Sequence, residues 1–181
     1  MTIYVRDTPK RLEMYADKTV EALSIELPWL ENIYGLADTK LRKADKKAVK
    51  YPAYRNTDSS DYIDLSPNDK LVNYCFMYAN GPDKVDAKAM RLYTEANWVF
   101  FLDLKKIGKR EEEVVSDIEK FFTDNSRRFS AFTLENIYRL GSQVVKDFDI
   151  TEIDYQFNKF PYFAVRVSGS LKVKMVNGNC S

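Results

Sequence analysis

Residues 163–175, with the sequence FAVRVSGSLKVKM, alternate between two sets of side chains without a break. An alternation with a period of two is typical of an antiparallel strand that buries one face and leaves the other in water. The sequence therefore predicts a long strand here. The face predicted to be buried carries Phe163, Val165, Val167, Gly169, Leu171, Val173 and Met175. The face predicted to be wet carries Ala164, Arg166, Ser168, Ser170, Lys172 and Lys174.

The length of this predicted strand points to assembly. At about 3.3 Å per residue it reaches about 40 Å, whereas a usual strand has only about five or six residues. A strand of that length can extend past its own sheet and offer paired edges, or a flat polar face, to a neighbouring molecule. This geometry favours a protein that associates with others over one built around a catalytic cleft.

The composition is that of a globular protein without a strong overall charge. The chain has 181 residues, of which 45% are hydrophobic, and its 28 basic and 27 acidic side chains give a net charge of +1. This length is sufficient for one domain with a substantial core, and the charge balance gives no general attraction to nucleic acid or anionic lipid. No apolar run is long enough to span a bilayer, and the N-terminal residues lack the apolar core of a signal peptide. We expect a soluble protein made in a cytoplasm.

Histidine is absent, and there are two cysteines. A chain without histidine has no Ser-His-Asp or Cys-His nucleophile system of its own and no histidine-dependent zinc site. Cys75 lies in an apolar run and is expected to be buried, and Cys180 is next to the C-terminus, so a disulfide framework is not expected. The scattered glycines form neither a phosphate-binding loop nor a dinucleotide fingerprint. We therefore expect none of these catalytic systems and none of these cofactor-binding folds.

Helical spacing of apolar residues predicts three helices. The first spans about residues 9–26, with Thr8 as its N-cap and Pro28 beyond its end. The second begins near Arg110 with acidic residues in its first turn, which suits the helix dipole. The third is predicted over residues 133–148, with Thr133 as its N-cap.

A basic hairpin is predicted over about residues 31–55, with arms at 33–37 and 48–54 and a solvated tip between them. Further strands are predicted at 62–65, 71–78, 90–104 and 150–157, with a turn at 80–83 and with the middle of 90–104 covered on both faces. The tip is predicted to carry Lys40, Arg42, Lys43, Lys46, Lys47 and Lys50.

This order of elements predicts an α+β fold, a mostly antiparallel sheet with helices packed on one face and a protruding β-hairpin. We find no internal repeat and no low-complexity linker, so we expect a single domain over 1–181, with a flexible tail at about 177–181.

Three groups of residues invite a functional interpretation beside a structural one. Asp58, Asp61, Asp64 and Asp69 are candidates for a calcium or magnesium site, although their spacing is not that of an EF-hand and turns favour aspartate. The basic stretch 40–50 is either a phosphate-binding surface or a solvated tip. Aromatic residues near predicted loops are either interface anchors or covers for the end of the sheet. These aromatic residues are Trp29, Tyr51, Tyr54 and Tyr62.

The order and character of these elements resemble the tail-completion and neck proteins of tailed bacteriophages, in particular the tail-terminator type. The resemblance covers about residues 10–176 and depends on no catalytic motif. The stretches that carry it are LPWL at 27–30, YIDLSPND at 62–69, NGP at 80–82, WVFFLDLKKI at 98–107, two helices, and FPYFAVR at 160–166.

The resemblance implies a small α+β subunit that forms rings, often hexamers, at the end of the tail tube or in the neck of the virion. Such a ring joins tail to head and surrounds a lumen through which DNA passes, and its subunits bind no cofactor and catalyse no reaction. The basic hairpin would be a docking arm or a lumen loop. Arg166, Lys172 and Lys174 would face a neighbour or the lumen. The resemblance leaves open whether the ring is a terminator or a head-side adaptor.

Two other functions are kept as alternatives. A nucleic-acid-binding module would use the basic stretch 40–50 and would bind in a strongly salt-dependent way. An enzyme with a carboxylate-only or metal-assisted site would use Asp61 and Asp64.

Overall fold

The computed structural model describes residues 1–44, 47–55, 61–67, 71–88, 90–129, 132–139, 141–149 and 159–174. The helices are α1 (Leu12–Glu26), α2 (Leu104–Ile107), α3 (Glu111–Phe129) and α4 (Gly141–Val144). The strands are β1 (Thr2–Tyr4), β2 (Asn32–Leu36), β3 (Asp38–Ala44), β4 (Lys47–Arg55), β5 (Tyr62–Asp64), β6 (Tyr74–Asp86), β7 (Arg91–Asp103), β8 (Phe132–Tyr138) and β9 (Tyr162–Lys174).

The main sheet has six strands in the order β1-β2-β6-β7-β9-β8. Its first three strands are parallel to one another, and the remaining pairs are antiparallel. A smaller sheet of three antiparallel strands has the order β3-β4-β5. The presence of helices together with mostly antiparallel sheets confirms the predicted α+β class.

The two longest strand predictions are confirmed by β7 and β9, which have 13 residues each and pair along their whole length. Both faces of β7 are buried, as the sequence predicts. Trp98 and Phe100 lie in one core cluster, and Val99 and Phe101 lie in another on the opposite face. The sheet is therefore covered on both sides at its centre.

Helices α1 and α3 pack against one of these faces, which we term the helix-side core. Ala16, Val20 and Leu23 of α1 are in the same cluster as Trp98. Helix α1 begins at Leu12, and its N-cap is Arg11 with no side-chain cap, so the predicted cap at Thr8 is wrong. The buried side chains of α3 in this core are Val114, Val115, Ile118, Phe121 and Phe122.

The opposite face carries an aromatic core, which is covered by the small sheet and by the short helix α4. Tyr34, Tyr74 and Phe76 project from the main sheet into this core, where Tyr54 of β4 joins them. Val144 at the end of α4 also belongs to it. Residues of α1 and α3 belong to one core and Val144 of α4 belongs to the other, so the prediction that all helices pack on one face is wrong for α4.

The hairpin is formed by β3 and β4, whose pairs run from Asp38↔Ala53 to Ala44↔Lys47. The segment predicted as its first arm is instead β2, a strand of the main sheet parallel to β6. The basic residues therefore lie along the arms, which corrects the prediction of a basic tip. Lys46 lies outside the described residues.

Two further predictions are wrong. Residues 133–148, predicted as one helix, contain β8 and the single turn of α4. Residues 80–83, predicted as a turn, lie within β6 at a register irregularity between Asn80 and Lys84, and the chain turns after Asp86. The predicted strand at 150–157 and the predicted flexible tail lie outside the described residues.

Candidate interaction surfaces

Three central strands of the main sheet continue past their neighbours. Within the described residues, strand β2 pairs with β6 as far as Met77, and β8 pairs with β9 as far as Leu171. Strands β6, β7 and β9 go on together, as the pairs Val85↔Leu92 and Leu92↔Val173 show. We name this three-stranded end, residues 84–86, 91–93 and 172–174, the distal ribbon.

One face of the distal ribbon is apolar and partly open to solvent. Val85, Leu92 and Val173 form a row across the three strands, because directly paired residues share a face. Val173 packs against the helix-side core, whereas the Val85 side chain at the outer strand is 59% exposed. Met90 in the adjoining turn is 37% exposed. An exposed apolar row on a flat ribbon is a surface that another protein can cover.

The other face of the distal ribbon is charged. Lys84, Tyr93 and Lys172 form one row, and the Lys172 Nζ lies 5.4 Å from the centroid of the Tyr93 ring. In the next row Arg91 is the strand partner of Asp86 on β6 and of Lys174 on β9. The sequence prediction that Lys172 belongs to a polar face is consistent with this arrangement.

The Arg166 side chain is only 1% exposed, so the prediction that it faces a neighbour or a lumen is corrected. Its guanidinium lies 4.2 Å from the centroid of the Tyr138 ring, and Nη1 is 3.4 Å from Asp147 Oδ2 and 3.5 Å from Tyr78 Oη. The Tyr78 hydroxyl donates to the same Asp147 oxygen at 2.9 Å, and burial raises the pKa of Tyr78. The predicted wet face of β9 is thus buried at this point, beneath the segment that follows α4.

A buried polar layer lies beside this ion pair. Tyr78, Asn97 and Ser168 form the next row across β6, β7 and β9. Asn97 is 0% exposed, and neither Nδ2 nor Oδ1 of its amide has a hydrogen-bond partner among the residues that the structure describes. Tyr78 belongs to the aromatic core, so this row forms the edge of that core on the side of the distal ribbon.

The basic residues of the hairpin are divided between its two faces. Lys40 and Arg42 lie on the face that also carries Tyr51, and both are engaged within the chain. The Lys40 Nζ lies 4.0 Å from the centroid of the Tyr62 ring, and a side-chain hydrogen bond with Tyr62 raises the pKa of Lys40. The Arg42 guanidinium donates to Asp64 Oδ2 at 2.9 Å and lies 5.2 Å from the Tyr51 ring centroid.

The opposite face of the hairpin is open at its outer half. Leu41 is 65% exposed and pairs with Lys50, and Lys43 follows two residues later on the same face. Lys43, Ala48 and Lys50 are also exposed. We name these four residues the hairpin patch. Lys47 is placed by its backbone pairing with Ala44 alone.

The aromatic residues predicted as interface anchors have different environments. Tyr54 is buried beneath Arg6, whose guanidinium carbon lies 4.9 Å from the ring centroid, and burial raises the pKa of Tyr54 to about 12. This burial corrects the prediction that Tyr54 lies at an interface. Trp29 is half-buried against the helix-side core, and Tyr51 is half-buried on the hairpin.

The carboxylates predicted as a cation site are not gathered around one point in the described chain. Asp64 accepts hydrogen bonds from Arg42 and from the Ser66 backbone, while Asp58 and Asp69 lie outside the described residues. Within the described ranges, no group of three or more aspartate, glutamate, cysteine or histidine side chains is placed to hold a metal ion. No helix of the described part is long and apolar enough to cross a membrane.

Comparisons of this chain with protein-family models, with curated proteins and with solved structures give no match. The functional interpretation is therefore based on the geometry of the surfaces described above.

Proposed function

We propose that this protein is a virion structural subunit that self-associates into a ring at the neck or the head-proximal end of a phage tail. In this role it completes the tail and joins it to the head. Its partners are copies of itself, the tail-tube protein and the neck or adaptor proteins. DNA passes through the lumen of the ring without sequence-specific contact.

The observation that carries this proposal is the distal ribbon. Three paired strands leave the body of the sheet with an apolar row on one face and charged rows on the other. The hydrogen-bonded ladder continues through the ribbon, so it is a stiff extension. A stiff ribbon that exposes Val85 to solvent is suited to bury that row against a neighbouring subunit.

The observed order of elements supports the proposal further, because it agrees in part with the order on which the sequence resemblance is based. The leading helix, the hairpin, the long central strand and the long final strand are all present in the structure. The resemblance also included two helices before the final strand, and at that place the structure has α3, β8 and the short α4. The exposed distal ribbon therefore supports self-association most directly. A head-side neck ring is the alternative function within the same class.

The test is a measurement of mass in solution by light scattering across a concentration series, with negative-stain images of any large species. We expect a ring of defined stoichiometry with a central hole. The variant Val85→Asp should shift the distribution toward monomer, because it places a charge in the apolar row. The matched control is Ile25→Asp, which changes another exposed β-branched apolar residue, on α1 and outside the ribbon.

A wild-type protein that stays monomeric at every concentration, alone and with purified tail tubes, would rule the proposal out. Equal loss of assembly in Val85→Asp and Ile25→Asp would show that the ribbon is not the contact surface.

A further inference from the structure

Residues 1–7 cross one edge of the molecule and contact both cores, and we name them the β1 strap. Strand β1 has three residues and is the outer strand of the main sheet, beside β2. Tyr4 packs against the aromatic core, and Val5 packs against the helix-side core. The backbone ladder that holds the strap is therefore short, and the other contacts of the strap decide how firmly it is attached.

Arg6 attaches the strap to α1 and to the small sheet. Its Nη1 donates a hydrogen bond of 3.1 Å to the Arg55 carbonyl oxygen of β4, and its Nε lies 3.6 Å from Glu13 Oε1 of α1. The Arg6 backbone N–H donates to the carboxyl group of Asp17 on the same helix. This last contact is made to a group whose charge depends on pH, so it responds to the protonation of Asp17.

The strap covers the Asp17 carboxyl group. The Asp17 side chain is only 8% exposed, and among the described residues its Oδ1 accepts no hydrogen bond. A Cβ at Gly35 of β2 would lie 2.8 Å from this oxygen and 3.5 Å from the Tyr4 carbonyl oxygen, so Oδ1 lies close to both β2 and the strap. Enclosure without a hydrogen bond has a cost in free energy for the ionised acid that the neutral acid largely avoids.

The charges around Asp17 do not remove this cost. The Arg6 guanidinium attracts the carboxylate, but its Nε faces Glu13 and its Nη1 donates to β4. Glu13 and Glu21, about one turn away on either side of Asp17 on α1, repel it. Tyr54 of β4 is uncharged at neutral pH, because burial raises its pKa to about 12. Burial is the main cause of the raised pKa of Asp17, and these neighbours leave it raised.

We propose that the β1 strap is a pH-dependent closure, which stays shut over Asp17 when the carboxyl group is protonated and opens locally when the group is ionised and hydrated. The closed state holds the proton more tightly than the open state, in which the carboxyl group is in water. Closure is therefore fully favoured below the ordinary pKa, about 4, and weakens as pH rises through the raised pKa of the closed state. Opening uncovers the outer edge of β2 while the centre of the sheet stays paired.

Hydrogen exchange followed by mass spectrometry tests the strap, with rates from pH 4 to pH 8 corrected for the intrinsic pH dependence of exchange. We expect the protection of strap peptides in the wild type to fall by at least about threefold between pH 4 and pH 7. Asp17→Asn should remove this fall, because it keeps the shape of the side chain and an oxygen for the Arg6 N–H but carries no charge. Peptides from β8, the other edge strand of the main sheet, should show no such fall in either protein.

The matched control is Glu119→Gln, which removes an exposed carboxylate from α3 and should leave the pH profile of the strap unchanged. Strap protection that does not vary with pH in the wild type would overturn the proposal, and so would a fall that persists in Asp17→Asn. An equal fall in the strap and in β8 would show that ionisation loosens the whole fold, which also overturns a local opening. None of these outcomes depends on ring formation, so the proposed function is tested separately.

Discussion

Asp17 is a buried acid whose charge is poorly compensated. Its Oδ2 accepts a hydrogen bond of 3.2 Å from the Arg6 backbone, whereas Oδ1 is buried and has no hydrogen-bond partner in the described part of the chain. A Cβ added at Gly35 would lie 2.8 Å from Oδ1, so the carboxylate fits against the backbone of β2 only because that residue is glycine. Burial raises the pKa of Asp17 above its ordinary value, and the nearby charge of Glu13 raises it further.

The raised pKa gives Asp17 a defined effect on stability. The folded state holds the Asp17 proton more tightly than the unfolded state. The resulting contribution to the free energy of unfolding is complete below the unfolded pKa, about 4, and is lost as pH rises through the folded pKa. We expect Asp17→Asn to raise the midpoint of thermal unfolding at pH 7 by roughly 2 °C. The difference in unfolding midpoint between Asp17→Asn and the wild type should narrow toward pH 4. Scans of both proteins from pH 4 to pH 8 test this, and an advantage that is constant with pH would contradict it.

The buried ion pair of Arg166 and Asp147 is asymmetric. Arg166 is almost completely buried, whereas the Asp147 side chain is a quarter exposed. We expect Asp147→Asn to destabilise the fold by about 3 kcal/mol, because it leaves a buried guanidinium without its counter-charge. Arg166→Met should cost less, since the remaining carboxylate can be hydrated. Urea unfolding of the two variants measures the difference between their free energies of unfolding. A larger loss for Arg166→Met than for Asp147→Asn would show that Asp147 is not the main partner of Arg166.

Arg166 also shows what a residue pattern leaves open. The alternation of β9 correctly assigns Val165 and Arg166 to opposite faces of the sheet. It contains no information on whether a second layer covers the polar face, because that layer is formed by α4 and the small sheet, which are distant in sequence. The sequence therefore predicts the orientation of Arg166 but not its burial.

At the scale of elements, irregular pairing within β8 and β6 explains two wrong predictions. The sequence predicts a helix from residue 133 and a turn at 80–83, where the structure has strands. Leu134 and Ile137 are three residues apart, a spacing that favours a helix, yet both lie on the helix-side face of β8. A shift of register between Leu134 and Asn136 inserts one extra residue, so a strand acquires helix-like spacing. The irregularity between Asn80 and Lys84 likewise places turn-type residues inside β6.

The contact between β8 and β9 depends on the glycine at position 169. A Cβ there would collide with the Thr133 carbonyl oxygen and would lie 2.6 Å from Cζ of Phe132. We expect Gly169→Ala to destabilise the protein by about 2 kcal/mol and to reduce the protection of β8 amides against hydrogen exchange. The matched control is Ser170→Ala, which changes the next residue without adding a Cβ. Equal effects of both changes would show that β8 tolerates movement.

At the scale of the whole molecule, the balanced charge predicts weak binding to nucleic acid. The net charge is +1, and within the hairpin Arg42 is already paired with Asp64. We expect binding to a DNA duplex to be weaker than about 10 μM at physiological salt and to disappear as salt is raised further. Fluorescence anisotropy with labelled DNA provides the measurement. Tight binding that is lost in Lys43→Glu would instead favour the nucleic-acid-binding alternative.

The continuous pairing of β7 with β9 has a mechanical consequence. All 13 residues of each strand are in register, from the distal ribbon to the end that adjoins α2. A force that pulls β7 and β9 in opposite directions along their length loads these backbone hydrogen bonds in shear, so many must break together, whereas a force across the sheet would open them one after another. Tension applied at the ribbon is therefore transmitted along β7 and β9 to the centre of the molecule, where the two cores pack against both faces of the sheet.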